Sequence, residues 1–319
     1  MRTIVSLFTS LALLFLVPSA LRGEEKAGPQ VKLKLDKGAS VEYLVKREGS
    51  TSGESSQGEF KSKDESEVSY RLEVAEQKDG GDLVLKVTLP KARARFEGRN
   101  DTLEFDSTRP DSGGEVGSQL REVLSKTLTV TVRDGAIKEI SGLPEPPSAD
   151  GGGGQGRSFQ ARRFLGRERL RRDLGLILAS GVQGKTLEKG KEYVSETREE
   201  RDTGGQEKGR RGFFRGAGDG PLNLKYDGEE TVGAKKAARF KVEPRKPEST
   251  GGGNTPEVKG EGKALVSVED GLLLTLELQS SSKTEGERQG NSFKFNREQK
   301  VHIERKEGGS EKPKAKADV

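Results

Sequence analysis

Several groups of residues have types and spacings that could do chemistry. Ala179-Ser180-Gly181-Val182-Gln183-Gly184-Lys185-Thr186 fits a relaxed phosphate-loop pattern. Such a loop needs a glycine at its first position and a helix starting at its end, so that backbone N–H groups meet the phosphates. Ala179 stands in the glycine's place and Lys189-Gly190 interrupts the chain almost at once, so a plain connecting loop is expected. Gly151 to Gly156 has the spacing GxGxxG but follows Pro144-Glu145-Pro146-Pro147 rather than a strand; it reads as a linker. Asp111-Ser112-Gly113 and Asp202-Thr203-Gly204 are two triplets of the kind in which paired carboxylates share a proton. That chemistry needs a buried, rigid cleft, and both triplets lie in polar surroundings. His302 is the only histidine, which excludes any multi-histidine metal site. Between Val301 and Ile303 it is expected to face solvent while they face a core. Catalytic residues, bound cofactors and metal ligands are therefore all expected to be none.

One cluster remains. Arg157 to Ser180, RSFQARRFLGRERLRRDLGLILAS, has a helical look and seven arginines. Arg162, Arg163, Arg167 and Arg171 are the candidate face for an anionic partner, such as lipid head groups, wall polymers or an acidic protein. The alternative is a solvated helix face balanced by Glu168 and Asp173. Leu170, Leu174, Ile177 and Leu178 fall at helical spacing. The C-terminal part is expected to pack on a sheet and the Arg-rich part to project into solvent.

The chain has 319 residues, with 29% hydrophobic and 34% charged, and 43 glycines in clusters. Such a supply of apolar residues predicts ordered halves separated by disordered Gly-rich loops. The net charge of +5 is too small for a nucleic-acid footprint. Ile4 to Val17 is an uncharged apolar run after Met1-Arg2, broken at Pro18-Ser19-Ala20. It is shorter than the ~20 residues that span a bilayer and has the order of a secretory signal peptide. The expectation is an exported protein, periplasmic or extracellular, with no transmembrane helix in the mature chain. There is no cysteine, which excludes disulfides, thiolate metal sites and a lipid anchor on cysteine.

Strict alternation predicts β-strands through most of the remainder. Val31-Leu33-Leu35, Val41-Tyr43-Val45, Val68-Tyr70-Leu72-Val74 and Leu83-Leu85-Val87-Leu89 lie in the first half. Leu222-Leu224-Tyr226, Ala238-Phe240-Val242, Val266-Val268 and Leu272-Leu274-Leu276-Leu278 lie in the second, with a final strand through Phe293, Phe295, Val301 and Ile303. Pro90 predicts an edge or corner, Gly49 to Gly58 a mobile Ser/Gly loop, and residues 244–262 a polar insertion. A short helix is expected over Val116 to Lys126. The resulting organisation is a signal peptide over 1–23, a β-rich half over 30–143 and a flexible linker over 144–157. A helix over 158–180, a second β-rich half over 188–305 and a disordered tail over 306–319 complete it.

Four short motifs carry a family resemblance. They are Lys37-Gly38 with Tyr43, Phe105-Asp106-Ser107, Gly135 to Gly142 (GAIKEISG) and Gly190-Lys191-Glu192-Tyr193. In these, across residues 31–280, the chain resembles a bacterial exported domain family of unknown function, built of a signal peptide and two β-rich halves. The Gly-rich insertions and the Arg-rich helix depart from that pattern. The resemblance implies no reaction and no site residues. Together these readings predict a mainly β (α+β) fold: an antiparallel curved sheet or half-barrel with one central helix. They point to an exported, non-enzymatic protein that binds an apolar ligand, a lipid or an envelope component. The alternative is a structural or interaction module of the bacterial envelope working through its surface; a hydrolase with a carboxylate pair ranks below both. A carrier of this kind is expected to hold an apolar cavity of ~300 Å³ or more.

Overall fold

The computed structural model of the protein describes residues 28–55, 58–78, 81–99, 102–142, 164–195, 220–246, 256–288 and 291–306. The expected signal peptide, the linker over 144–157 and the tail beyond Lys306 lie outside them. The first half supplies β1 (Ser40–Ser55), β2 (Gly58–Gln77), β3 (Leu83–Glu97), β4 (Thr102–Asp106), α1 (Gly114–Leu124), β5 (Leu128–Arg133) and β6 (Ala136–Ser141). Then come α2 (Arg167–Ile177), β7 (Glu192–Val194), β8 (Leu222–Val232), β9 (Lys235–Pro244), β10 (Glu257–Ser267), β11 (Leu273–Arg288) and β12 (Asn291–Lys306).

All twelve strands form one curved, unclosed antiparallel sheet in the order β6-β5-β3-β2-β1-β12-β11-β10-β9-β8-β7, with β4 beside β3. This is the expected half-barrel around a helix. The pairing of β1 with β12 joins the two halves at the middle of the sheet. The alternating apolar residues point inward: Val41, Tyr43 and Val45 on β1, Val68, Tyr70, Leu72 and Val74 on β2, and Val301 and Ile303 on β12 are all buried. Helix α2 lies in the concavity. Its Leu170, Leu174 and Ile177, with Leu178 just beyond, are fully buried, and each contributes about 1.5–3 kcal/mol of burial.

One end of the half-barrel is closed. The chain at 28–31 runs beside 184–187, with Gln30 bridged to Thr186 and backbone bonds Val31 N–H to Lys185 O and Gly184 N–H to Val31 O. Buried Gln183 ties this floor together by donating to the carbonyls of Leu178 (2.7 Å) and Gly271 (2.6 Å). Gly271 has φ +73, and a Cβ there would lie 2.4 Å from the Lys32 carbonyl oxygen, so the turn needs glycine.

The structure departs from these expectations at several points. Gly49 to Gly58 is not a loop as a whole. β1 continues to Ser55 and β2 begins at Gly58, because β12 and β2 pair with β1 on both sides and supply the hydrogen bonds its weak strand formers require. The polar insertion ends earlier than expected, at β10. Pro90 is met as the local edge it predicts: β5 pairs with Leu83–Val87 and β4 with Arg93–Glu97, Pro90 falls in the gap between them, and the β2 ladder opposite shifts register between Ser69 and Arg71. No ladder bond is missing an N–H there. The expected helix over 158–180 is interrupted at Gly166, which is extended (φ −69, ψ 156), and α2 runs from Arg167 to Ile177; its expected start at 158–163 lies outside the described residues.

Candidate functional site

The arginines divide by environment. Arg162 and Arg163 lie outside the described residues. Arg167 is exposed on the first turn of α2, whereas Arg171, one turn on, is half-buried and donates to the Ile137 carbonyl of β6 at 2.8 Å. The described part of α2 therefore does not present the two as one open basic face. Arg169 is turned inward as well, donating to Ser66 Oγ at 2.7 Å. Burial and the neighbouring Arg47 charge push its pKa down to about 10.

Asp173 is the centre of this arrangement rather than a surface counter-charge. It is 1% exposed and accepts from Arg47 Nη2 of β1 at Oδ1 and from the Tyr70 hydroxyl of β2 at Oδ2, 2.8 Å away. It falls on the apolar face of α2, three residues after Leu170. Its partners share the inward parity of their strands, so the ion pair sits between helix and sheet. Burial, then the Asp173 charge and hydrogen bond, push the Tyr70 phenol well up, and it stays a donor at neutral pH. Arg47 is 3% exposed, and its Nε and Nη1 have no hydrogen-bond partner.

Beyond this cluster the strands continue as a four-strand extension, in register across β2, β1, β12 and β11. Its inward residues form successive rungs. Val68, Val45, Ile303 and Leu276 make an apolar rung, followed by Ser66, Arg47, Val301 and Leu278. Next come Asp64, Gly49, Gln299 and Ser280, then Ser62, Thr51, Arg297 and Ser282, then Phe60, Gly53, Phe295 and Thr284. Gln299 and Ser280 are buried, and Gln299 Oε1 and Ser280 Oγ have no partner. Phe60 and Phe295 lie 5.4 Å apart between ring centroids, and Phe293 stacks on Phe295 at 5.3 Å. All three rings are half-buried. A Cβ on Gly53 would come within 2.5 Å of Phe60 and 2.6 Å of Phe295, so the rings lie over a bare backbone.

The interior is filled. A cavity of about 10 Å³ is lined by Arg47, Arg172, Leu176, Leu222, Leu278 and Val301, and one of about 20 Å³ by Leu176, Ala179, Leu224, Phe240, Val266 and Leu273, with others. Each has room for about one water. The expected carrier cavity is thus not found among the described residues; α2 occupies the space it would need.

Residues 179–186 form the floor loop, followed by β7 rather than a helix, and Lys185 Nζ donates to the Gly181 carbonyl at 2.7 Å. Ser112 caps the turn before α1 through Asp106 and Arg109; the second triplet lies outside the described residues. His302 faces outward between the buried Val301 and Ile303, with its side chain 37% exposed near Glu277 and Glu304. Among the described residues no group of His, Cys, Asp and Glu could hold a metal, and no helix is long and apolar enough to cross a membrane. The buried Arg47–Asp173–Tyr70 cluster and the rungs escaped the sequence reading. A cue was present: Asp173 stands on the apolar stripe of its helix, and Arg47 keeps the inward parity of Val41, Tyr43 and Val45.

No protein-family model and no curated protein matches the chain. Among solved structures it is similar to lipovitellin, in a study of lipid–protein interactions, with 14% identity and TM-score 0.43. That match covers 85% of this chain and 25% of that one, so the chain spans about a quarter of that protein's length. It is also similar to an outer membrane channel from Pseudomonas putida F1, with 9% identity, TM-score 0.24, and 86% and 97% of the two chains covered. A third is a DUF1329 family protein from Desulfovibrio piger, with 10% identity, TM-score 0.18 and 85% of each chain covered.

Proposed function

We propose that this is an exported, non-enzymatic binding protein of the bacterial envelope. It takes up an apolar or amphiphilic molecule on the inner face of the strand extension, not in an interior cavity. The observation that carries this reading is the half-buried Phe60, Phe293 and Phe295 cluster on the face that is otherwise core. Solvated strands turn polar side chains outward, and here Lys61, Lys63, Lys294, Asn296 and Glu298 do so. Three phenylalanines held on the opposite face have surface left to bury. Export rests on the apolar run Ile4 to Val17.

An uncharged apolar dye, N-phenyl-1-naphthylamine, tests the site. Its emission is expected to rise on binding and to be displaced by long-chain amphiphiles. Phe60→Ser and Phe295→Ser each weaken binding about tenfold or more, since a phenylalanine side chain contributes roughly 1.5–3 kcal/mol when buried. A folded protein that leaves the dye in water refutes the reading.

A further inference from the structure

We infer that the tip of the strand extension is a lipid-contact surface, which lies against a phospholipid monolayer with Phe60 and Phe295 turned into it. The inference goes beyond uptake of a single molecule, because it gives the same phenylalanines a second partner. β3 stops pairing with β2 at Lys63, and β10 stops pairing with β11 at Lys283. From there to Gly58 and Arg288 only β2, β1, β12 and β11 go on, so the extension is a ribbon of four strands. Helix α2 does not follow it. Arg169, on its first turn, reaches Ser66, and Phe60 lies six residues further along β2, or roughly 20 Å. The phenylalanines stand at the end of the ribbon, where a flat surface meets them without entering the concavity.

The ribbon is amphipathic with period two. Glu59, Lys61, Ser292, Lys294 and Asn296 are exposed on its outer side, whereas Phe60, Phe293 and Phe295 are half-buried on the inner. Gly53, Thr284, Gly58, Ser55 and Gly286 fill the other places of the last two rungs, so no charged residue stands there. Phe60 is two residues from the start of β2 and Phe293 two from the start of β12, about 7 Å from the tip. That depth falls within the ~5–10 Å to which an amphipathic element sinks into the boundary of head groups and acyl chains. The next rung back, Ser62, Thr51, Arg297 and Ser282, bears hydroxyls and a guanidinium and comes level with the head groups. Area decides against a protein partner. Four strands ~4.8 Å apart and three rungs ~7 Å apart make a patch of roughly 400 Å², about half the ~800 Å² per partner of a stable protein–protein interface. A second copy has too little to hold, whereas a lipid surface needs only a few apolar side chains.

Flotation of the full chain with phosphatidylcholine vesicles on a density gradient tests the surface. The protein is expected to rise with the vesicles. Raised salt is expected to change the bound fraction less than about twofold, because the inserted groups are uncharged. Phe60→Ser and Phe295→Ser each lower the partition constant about fivefold, since each ring is half-buried already. Val232→Ser, which removes an exposed apolar side chain at the last residue of β8, leaves it unchanged. Protein that stays at the bottom of the gradient, yet binds N-phenyl-1-naphthylamine without vesicles, overturns the membrane contact and leaves uptake standing. Flotation without dye binding supports the contact and refutes uptake. Flotation that salt abolishes, or that neither serine variant lowers while both remain folded by circular dichroism, overturns the phenylalanine surface. A dimer in sedimentation that Phe60→Ser dissociates makes a second copy the occupant and overturns the lipid surface too.

Discussion

Replacing Asp173 by alanine leaves Arg47 as a buried charge with no counter-ion and deprives the Tyr70 hydroxyl of its acceptor. Breaking a buried ion pair from one side costs about 3–5 kcal/mol, and an unsatisfied buried hydroxyl adds about 1–3 kcal/mol. Asp173→Ala is therefore expected to lose at least ~4 kcal/mol, a large share of the ~5–15 kcal/mol that holds a domain together. Arg47→Met alone leaves the carboxylate with the tyrosine and nearby Arg169, and costs about 3 kcal/mol. The triple change Arg47→Met/Tyr70→Phe/Asp173→Leu removes every member together. It is expected to lie within about 1–2 kcal/mol of the unmodified protein, or above it, because the desolvation penalty disappears with the charges. Urea unfolding followed by circular dichroism measures all three. Single variants that each lose under ~1 kcal/mol, or a triple that loses the sum of its parts, would show that the cluster does not couple α2 to the sheet.

Other expectations concern separate parts of the fold. Tyr43→Phe removes the hydroxyl that donates to the buried Leu273 carbonyl at 2.7 Å and is expected to cost ~1 kcal/mol in the same urea assay. Gly271→Ala forces a Cβ against Lys32 in a left-handed turn; a loss of more than ~1 kcal/mol, read as a lowered Tm, is expected. Asp106 is held down to about 2, first by the hydroxyl and N–H of Thr108 and then by Arg93. A carboxylate depressed in the fold contributes stability that is complete above its unfolded pKa near ~3.9. That contribution fades as pH falls through about 2. Thr108→Val should flatten this part of the acid unfolding curve, and an identical curve would contradict it.

Alternation alone places most of the sheet, because one buried face imposes period two on Val68 to Val74, Leu83 to Leu89 and Leu272 to Leu278. The central helix is legible for the same reason: Leu170, Leu174 and Ile177 mark one side. The extension was not legible. Gly49-Ser50-Thr51-Ser52-Gly53 has the composition of a loop, and only its partners on β2 and β12 make it a strand. Asp173 was hidden because a charged residue beside arginines reads as surface, whereas its partners come from strands 103 and 126 residues away. The phenylalanines were visible as strand residues of one parity. Their grouping depends on register, which pairs Gly53 with both Phe60 and Phe295.

Hydrogen–deuterium exchange with and without laurate tests the binding face most directly. Added laurate is expected to slow exchange at 49–54, 58–64, 279–287 and 292–299, with little change in the floor at 28–35 and 178–187. Unchanged exchange in the four strand segments, or protection confined to the floor or to the sheet edges at β6 and β7, would contradict the account.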